Sequence, residues 1–217
     1  MSDDRLPIFP LGLVLLPGEP VPLHIFEPRY KEMVHVCLDG DRPFGIVYAS
    51  ESAVADVGCT ARIQRVATRY DDGRLDIVAV GEGRFRIGEV FRDRPYLSAD
   101  VHALEDASGA DDADARRQAI ARHMKLLELA GEEPRPDRYD RPGPASYVIG
   151  QNAGLDLADK QRLLEMDSEA ARIRYLSRHL GKLLVRLQKA RTLRTLAQGD
   201  GHADGFPDLG LPGPPSS

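Results

Sequence analysis

One lasting change of hydrophobic period, near residue 105, constrains the fold of this chain of 217 residues more than any other feature. Up to about residue 104, apolar residues come in short runs of strand character broken by Gly, Pro and Asp. After residue 112 they recur three and four apart, the spacing of one helix face. Residues 105–112 are small and acidic without an apolar period, which marks a linker. The pattern predicts an α+β chain with a strand-rich subdomain over 1–104, a linker over 105–112 and a helical subdomain over 113–197. Gly, Pro, Asp and Ser dominate residues 198–217, so a disordered tail is expected there.

Within the first half, Pro7 and Pro10 interrupt residues 6–16, which predicts edge strands and turns rather than a central strand. Residues 21–26 form another short extended run. Residues 28–38 then switch period: Tyr30, Met33, Val34, Cys37 and Leu38 share one face, so a helix is inserted among the strands. Pro28 suits its first turn, and Gly40 stands where a left-handed cap is wanted. The same face makes Cys37 a small core hydrophobe. Further strands are expected over 44–48, 60–68, 75–80, 85–90 and 97–102, with a tight hairpin at Asp72-Gly73. Gly81-Glu82-Gly83 reads as a turn between two of them, because no helix opens after it to cradle a phosphate. Short strands and short turns suggest a compact, mostly antiparallel barrel or a strongly coiled sheet.

In the second half, Ile120, Met124 and Leu127 line a helix over about 112–130. Pro144 can open a short helix through residue 152, and Asp156 can cap another through residue 165. Ser168 is the N-cap expected for the longest helix, where Ile173, Leu176, Leu180, Leu183, Leu187 and Ala190 repeat at heptad-like spacing. Packing against the other helices is the expected role of that stripe. From residue 168 to 197 there are eight Lys/Arg and one acid. Arg178, Lys182, Arg186 and Lys189 are therefore candidate binding residues on a basic face. A solvated face, an acidic protein partner, or RNA or a membrane surface would each account for them.

Charge and motif content narrow the function. The net charge of -5 comes from residues 1–105, with 12 Lys/Arg against 17 Asp/Glu; the remainder balances at 17 against 17. Neither half is basic enough to hold nucleic acid by counterion release. Two cysteines without CxxC spacing point to reduced thiols. The six histidines show no HExxH spacing. None of the five lysines sits in GxxxxGK[ST], and no GxSxG elbow occurs. No catalytic residue, metal or cofactor is expected. Asp3 and Asp4 stand where a signal peptide needs positive charge. The uncharged run 6–18 is interrupted by three prolines and is shorter than the ~20 residues that span a bilayer. A cytoplasmic protein without a membrane span is the expectation.

The opening residues carry a resemblance. Leu6-Pro7-Ile8-Phe9-Pro10-Leu11, Val14-Leu15-Leu16-Pro17-Gly18 and Pro22-Leu23-His24-Ile25-Phe26-Glu27-Pro28-Arg29-Tyr30 closely resemble the start of the Lon protease amino-terminal domain. The similarity continues in order through residues 44–47, 57–63, 72–74 and 81–86, then through 160–165 with Asp167, Ser168 and Arg172, and covers roughly residues 5–195. It implies a strand-rich subdomain related to PUA-like barrels, followed by a helical bundle with one long last helix. It also implies a non-catalytic module that engages unfolded or tagged polypeptide, alone or as a homodimer, with a protease as a candidate partner. The ATPase and Ser-Lys protease parts of Lon have no counterpart in the sequence, so catalysis is not carried over.

Within the motif, His24, Glu27, Arg29 and Tyr30 are candidate binding residues beside a groove for extended peptide. Their plain alternative is structural: helix start, mutual pairing and backbone capping. Prolines at 17, 20 and 22 leave nearby backbone unpaired, as strand addition requires. The competing functions are an RNA-binding PUA-like protein and a small-molecule receptor or unrecognised enzyme, the last requiring a deep pocket with converging polar groups.

Overall fold

One long strand organises the front half. β5 (Leu75–Phe91) pairs with β2 (Pro20–Ile25) along its first part, with β6 (Leu97–Leu104) along its second, and with β4 (Val57–Arg69) through Arg86. β3 (Phe44–Tyr48) and β1 (Leu6–Leu11) complete a mixed six-stranded sheet in the order β2-β5-β4-β3-β1-β6. Because β6 returns to β5, the sheet is nearly closed, and β2 lies outside the ring as an edge. Every pair is antiparallel except β1 with β3. The computed structural model describes residues 5–107, 112–140 and 143–199, the last six by backbone only. Residues 108–111 of the expected linker and 200–217 of the expected tail lie outside the described residues.

Three sequence expectations change here. Gly81-Glu82-Gly83 is not a turn, because β5 runs straight through it. Its glycine serves close approach: a Cβ at Gly81 would stand 2.3 Å from the Leu16 carbonyl oxygen. The gap lets the Gly18 amide donate to the Gly81 carbonyl at 2.8 Å and the Gly81 amide donate to the Glu19 carbonyl at 3.0 Å. β1 is interior rather than an edge. Its prolines are tolerated because Pro7 is laddered only toward β6 and Pro10 only toward β3. The left-handed residue after the inserted helix α1 (Pro28–Asp39) is Asp41, at φ 44°, while Gly40 keeps a right-handed conformation.

The interior of the sheet is filled by Phe9, Ile25, Phe44, Ile46 and Ile77, with Met33, Val34 and Cys37 of α1 packed against them. Each fully buried side chain of this size contributes roughly 1.5–3 kcal/mol of transfer free energy. Cys37 and Cys59 are both buried free thiols. Burial pushes their pKa values up to about 11 and about 12, so they remain protonated and unreactive.

The helical region follows as α2 (Ala113–Leu129), a 3-10 turn (Pro136–Tyr139), α3 (Ala145–Gln151), α4 (Leu157–Glu165) and α5 (Glu169–Gly199). The caps expected at Asp156 and Ser168 are in place, and Asp112 supplies a third that was not expected from the sequence. Asp112 accepts from the Ala115 amide at 3.0 Å, Asp156 from Asp159 at 2.8 Å, and the Ser168 hydroxyl from Ala171 at 3.3 Å. Ile149, Leu163, Ile173, Leu176 and Leu180 form the helical core, which also receives Val14, Leu16 and Val57 from the strand half. The stripe on α5 is buried only as far as Leu180; Leu187 and Ala190, expected to pack, are exposed.

Two arginines tie the halves together. Arg84 of β5 donates to the carbonyls of Leu164 and Met166 at 3.0 and 2.8 Å, and to Asp106 at 2.8 Å. Arg172 of α5, grouped by sequence with the basic face, is instead wholly buried. It is bound by Asp106, Glu169, the Ser146 hydroxyl and the Met166 carbonyl. Partial burial raises the Asp106 pKa, but hydrogen bonds and charge from Arg172 and Arg84 outweigh it and hold the carboxyl below its ordinary range. Removing the shared carboxylate by Asp106→Ala is expected to lower stability by roughly 2–4 kcal/mol, read as a fall in the urea midpoint.

His123 of α2 is buried in the helical core. Its Nδ1 is 2.8 Å from the Tyr139 hydroxyl, while its Nε2 has no hydrogen-bond partner among the described residues. Burial, then the nearby Arg138 charge, lowers its pKa from 6.5 to about 4. A depressed folded-state value means the unfolded chain takes up the proton first. Stability is therefore full above pH 6.5 and is lost as pH falls toward 4. Thermal melts across that window are expected to show a declining Tm, with a shallower decline in His123→Gln.

Candidate functional site

The outer face of β2 alternates in a simple way. Val21 and Ile25 point inward and are buried; Pro20, Pro22, His24 and then Phe26 are exposed. Across the ladder these face Val80, Val78 and Asp76 of β5. Proline has no N–H to donate, so positions 20 and 22 contribute no donors to the outer edge, and side chains rather than backbone define this surface.

At its lower end three rings gather. The His24 ring is 6.0 Å from Phe26 at 24°, nearly stacked, and 5.9 Å from Tyr70 at 80°, edge to face. Phe26 is 58% exposed and Tyr70 38%, so both present ring surface to solvent. Tyr70 is placed by the β4–β5 hairpin. There the Gly73 amide donates to the Tyr70 carbonyl at 2.9 Å, and Gly73 takes φ 79°, which glycine adopts without strain. Lys31 of α1 donates to the Asp72 carbonyl at 2.9 Å and ties the helix to that turn.

Asp76 anchors the cluster. It lies 2.6 Å from His24 Nδ1 and accepts from the Tyr70 hydroxyl at 2.7 Å. The contact from His24, then that from Tyr70, holds its carboxyl below the ordinary range, so it is ionised at neutral pH. The same bond raises the Tyr70 phenol above 10. Both rings are therefore fixed through a charged hydrogen bond, which is stronger than a neutral one.

The residues singled out in the sequence divide. His24 sits in the cluster. Glu27 and Arg29 form an ion pair at 2.7 Å at the start of α1. Tyr30 turns inward onto Phe9, with ring centroids 4.2 Å apart, under the Arg29 guanidinium at 4.7 Å. Arg178, Lys182, Arg186 and Lys189 lie on α5, a separate element. Phe26, Tyr70 and Asp76 were missed as site residues. Alternation along residues 20–26 was the available signal for Phe26, and nothing local marked Asp76.

A cleft of about 430 Å3 opens between the strand and helical halves, lined by Pro17, Gly18, Glu82, Arg138, Tyr147 and Gln151 among others. Glu82 is already paired with Arg62 at 2.6 Å, and the Tyr147 hydroxyl is buried. Among the described residues no group of three or more His, Cys, Asp or Glu could hold a metal ion, and no helix is long and apolar enough to cross a membrane.

These elements define the class as an α+β domain in which a nearly closed mixed sheet with an inserted helix leads into a helical region ending in a long helix. The chain belongs to the family described as the ATP-dependent protease La (LON) substrate-binding domain, which it matches over residues 5–182. It is 27% identical to a Lon protease of Cytophaga hutchinsonii and 28% identical to Lon protease 2 of Sorangium cellulosum, in each case over 90% of its length. It spans only 26% and 27% of those proteins. A crystal structure of a Lon N-terminal domain protein from Xanthomonas campestris superposes with a TM-score of 0.64 at 26% identity, covering 79% of this chain and 96% of that one. The N-terminal domain of a Mycobacterium avium complex Lon protease shares the fold, with a TM-score of 0.61 at 20% identity over 82% of this chain and 98% of that one.

Replacing the anchor by Asp76→Asn is expected to bring the Tyr70 phenol back down toward 10. Titration of ring-labelled tyrosine by NMR reads that shift directly.

Proposed function

We propose that this chain is a non-catalytic polypeptide-binding module that captures unfolded or extended segments on the outer face of β2. One observation carries the reading: Tyr70 is an exposed ring hydrogen-bonded to an ionised Asp76, and Phe26 is an exposed ring nearly stacked on His24, which contacts the same carboxylate. Exposed rings set just beyond the ends of two strands paired with β5 offer contact area at little further entropy cost, which is how aromatic anchors bind extended chains. Pro20, Pro22 and Val78 extend the same face as a track for apolar side chains. Membership of a substrate-binding domain family supports it.

In this reading His24 orients Phe26, while the Glu27–Arg29 pair and Tyr30 brace the start of α1 beneath it. A cytoplasmic setting and delivery of clients to a partner protease belong to the same proposal. The small-molecule and RNA alternatives have less behind them: Glu82, the acid that lines the cleft among the described residues, is spoken for by Arg62, and the strand half is acidic.

The test is anisotropy of a labelled, chemically unfolded test polypeptide titrated with the full chain. Saturable binding is expected, weakened by about tenfold or more in Phe26→Ala with Tyr70→Ala, the range for paired aromatic anchors. Both side chains are exposed, so Tm should hardly move. Absence of binding by the wild-type chain, or unchanged binding by the double variant, would overturn the assignment.

A further inference from the structure

From Arg178 to Lys189, α5 carries a charged surface that no carboxylate among the described residues pairs with. Its buried stripe is Ile173, Leu176 and Leu180, and Arg174, Arg178, Lys182, Arg186 and Lys189 line the opposite face at steps of four, four, four and three. No acid occurs between Glu169 and Gly199. Arg174 reaches Asp112 at 3.6 Å, but no carboxylate among the described residues pairs with Arg178, Lys182, Arg186 or Lys189. Arg122 of α2 adds another cation. It lies across Gly181, where a Cβ would be 3.6 Å from the guanidinium carbon, and donates to the Ser177 carbonyl and hydroxyl at 2.7 Å.

Like charges four apart on a helix repel. The negative end of the helix dipole offsets cations only in the last turn, and Arg178 and Lys182 lie near the middle. Apolar side chains sit among these charges: Val185 is 50% exposed and Leu193 67%. A groove of about 570 Å3 runs here, lined by His179, Gly181, Lys182, Val185 and Arg186.

We propose that this face docks an acidic partner polypeptide, a helical segment bearing Asp or Glu four apart with an aliphatic side chain seated in the groove beside Gly181. Carboxylates at that spacing meet Arg178, Lys182 and Arg186 in turn and cancel their mutual repulsion. A second copy of the same face would double the repulsion. Nucleic acid would lack an extended stacking surface, since no Phe, Tyr or Trp follows Tyr175 in α5. An anionic membrane would want a continuous apolar face, and Val185 and Leu193 are separated by Lys189. The surface is independent of the β2 face.

The experiment uses the full chain and four probes: a labelled amphipathic peptide with Glu four apart and Leu between, its scrambled counterpart, single-stranded RNA and phosphatidylserine vesicles. The ordered peptide should bind at low salt and weaken at high salt, as exposed ion pairs do. Lys182→Glu with Arg186→Glu should weaken it by about tenfold or more, the size expected when several cross-interface charge pairs reverse sign. Both positions are exposed, so an unchanged Tm shows that the fold is intact. Phe26→Ala with Tyr70→Ala should leave this binding unaltered, which separates its failure from failure of the β2 reading. Equal binding of ordered and scrambled peptides, or indifference to the charge reversal, overturns the proposal. So does tighter binding of RNA or vesicles than of the ordered peptide, or dimerisation in sedimentation that the charge reversal abolishes.

Discussion

A wholly buried guanidinium at Arg172 sets the terms on which the two halves of this chain meet. Such a group, left unpaired, costs several kcal/mol. It is satisfied only when Asp106 after β6, Ser146 of α3, the Met166 carbonyl after α4 and Glu169 of α5 all arrive together. Arg84 of β5 shares Asp106 and satisfies the Leu164 carbonyl near the end of α4, one of those a helix end leaves unpaired. The Tyr147 ring lies 4.5 Å from the Arg172 guanidinium, and burial pushes its phenol up to about 12. The strand ring and the helices are thereby held to one relative position, since shifting either would strand a charge.

The continuity of β5 has a second consequence. Because one strand serves β2, β4 and β6 in turn, the outer face of β2 stands on a ladder rather than on a loop. Phe26 follows directly on β2 and Tyr70 directly on β4, so both rings project from the ends of laddered strands. The inserted helix α1 braces the same region, through Lys31 on the β4–β5 hairpin and Tyr30 on Phe9. The β2 face and the outer face of α5 thus differ in chemistry as well as position. One is aromatic and proline-rich in an acidic half; the other is cationic with scattered aliphatic side chains.

Much of the architecture could be read from neighbours along the chain. The face of α1, the caps at Asp156 and Ser168, the Asp72-Gly73 hairpin and the burial of Cys37 all depend on residues within a turn or two of one another. The candidate site was legible only in part. His24 was noticed through its motif, but Phe26 and Tyr70 are 44 positions apart in the numbering and meet only because β2 and the β4–β5 hairpin lie side by side. Asp76 has no local signature that separates it from nearby Asp71 and Asp72.

The sequence by itself determined most of the strands and helices and which of their faces are apolar, because hydrophobic period and capping are local properties of the chain. Tertiary structure alone decided that Pro7 and Pro10 fit an interior strand, that Gly81 is where Leu16 passes, and that Arg172 is buried while Arg178 is not. Each of those depends on which distant backbone or charge comes within a few ångströms, and no local pattern encodes that distance.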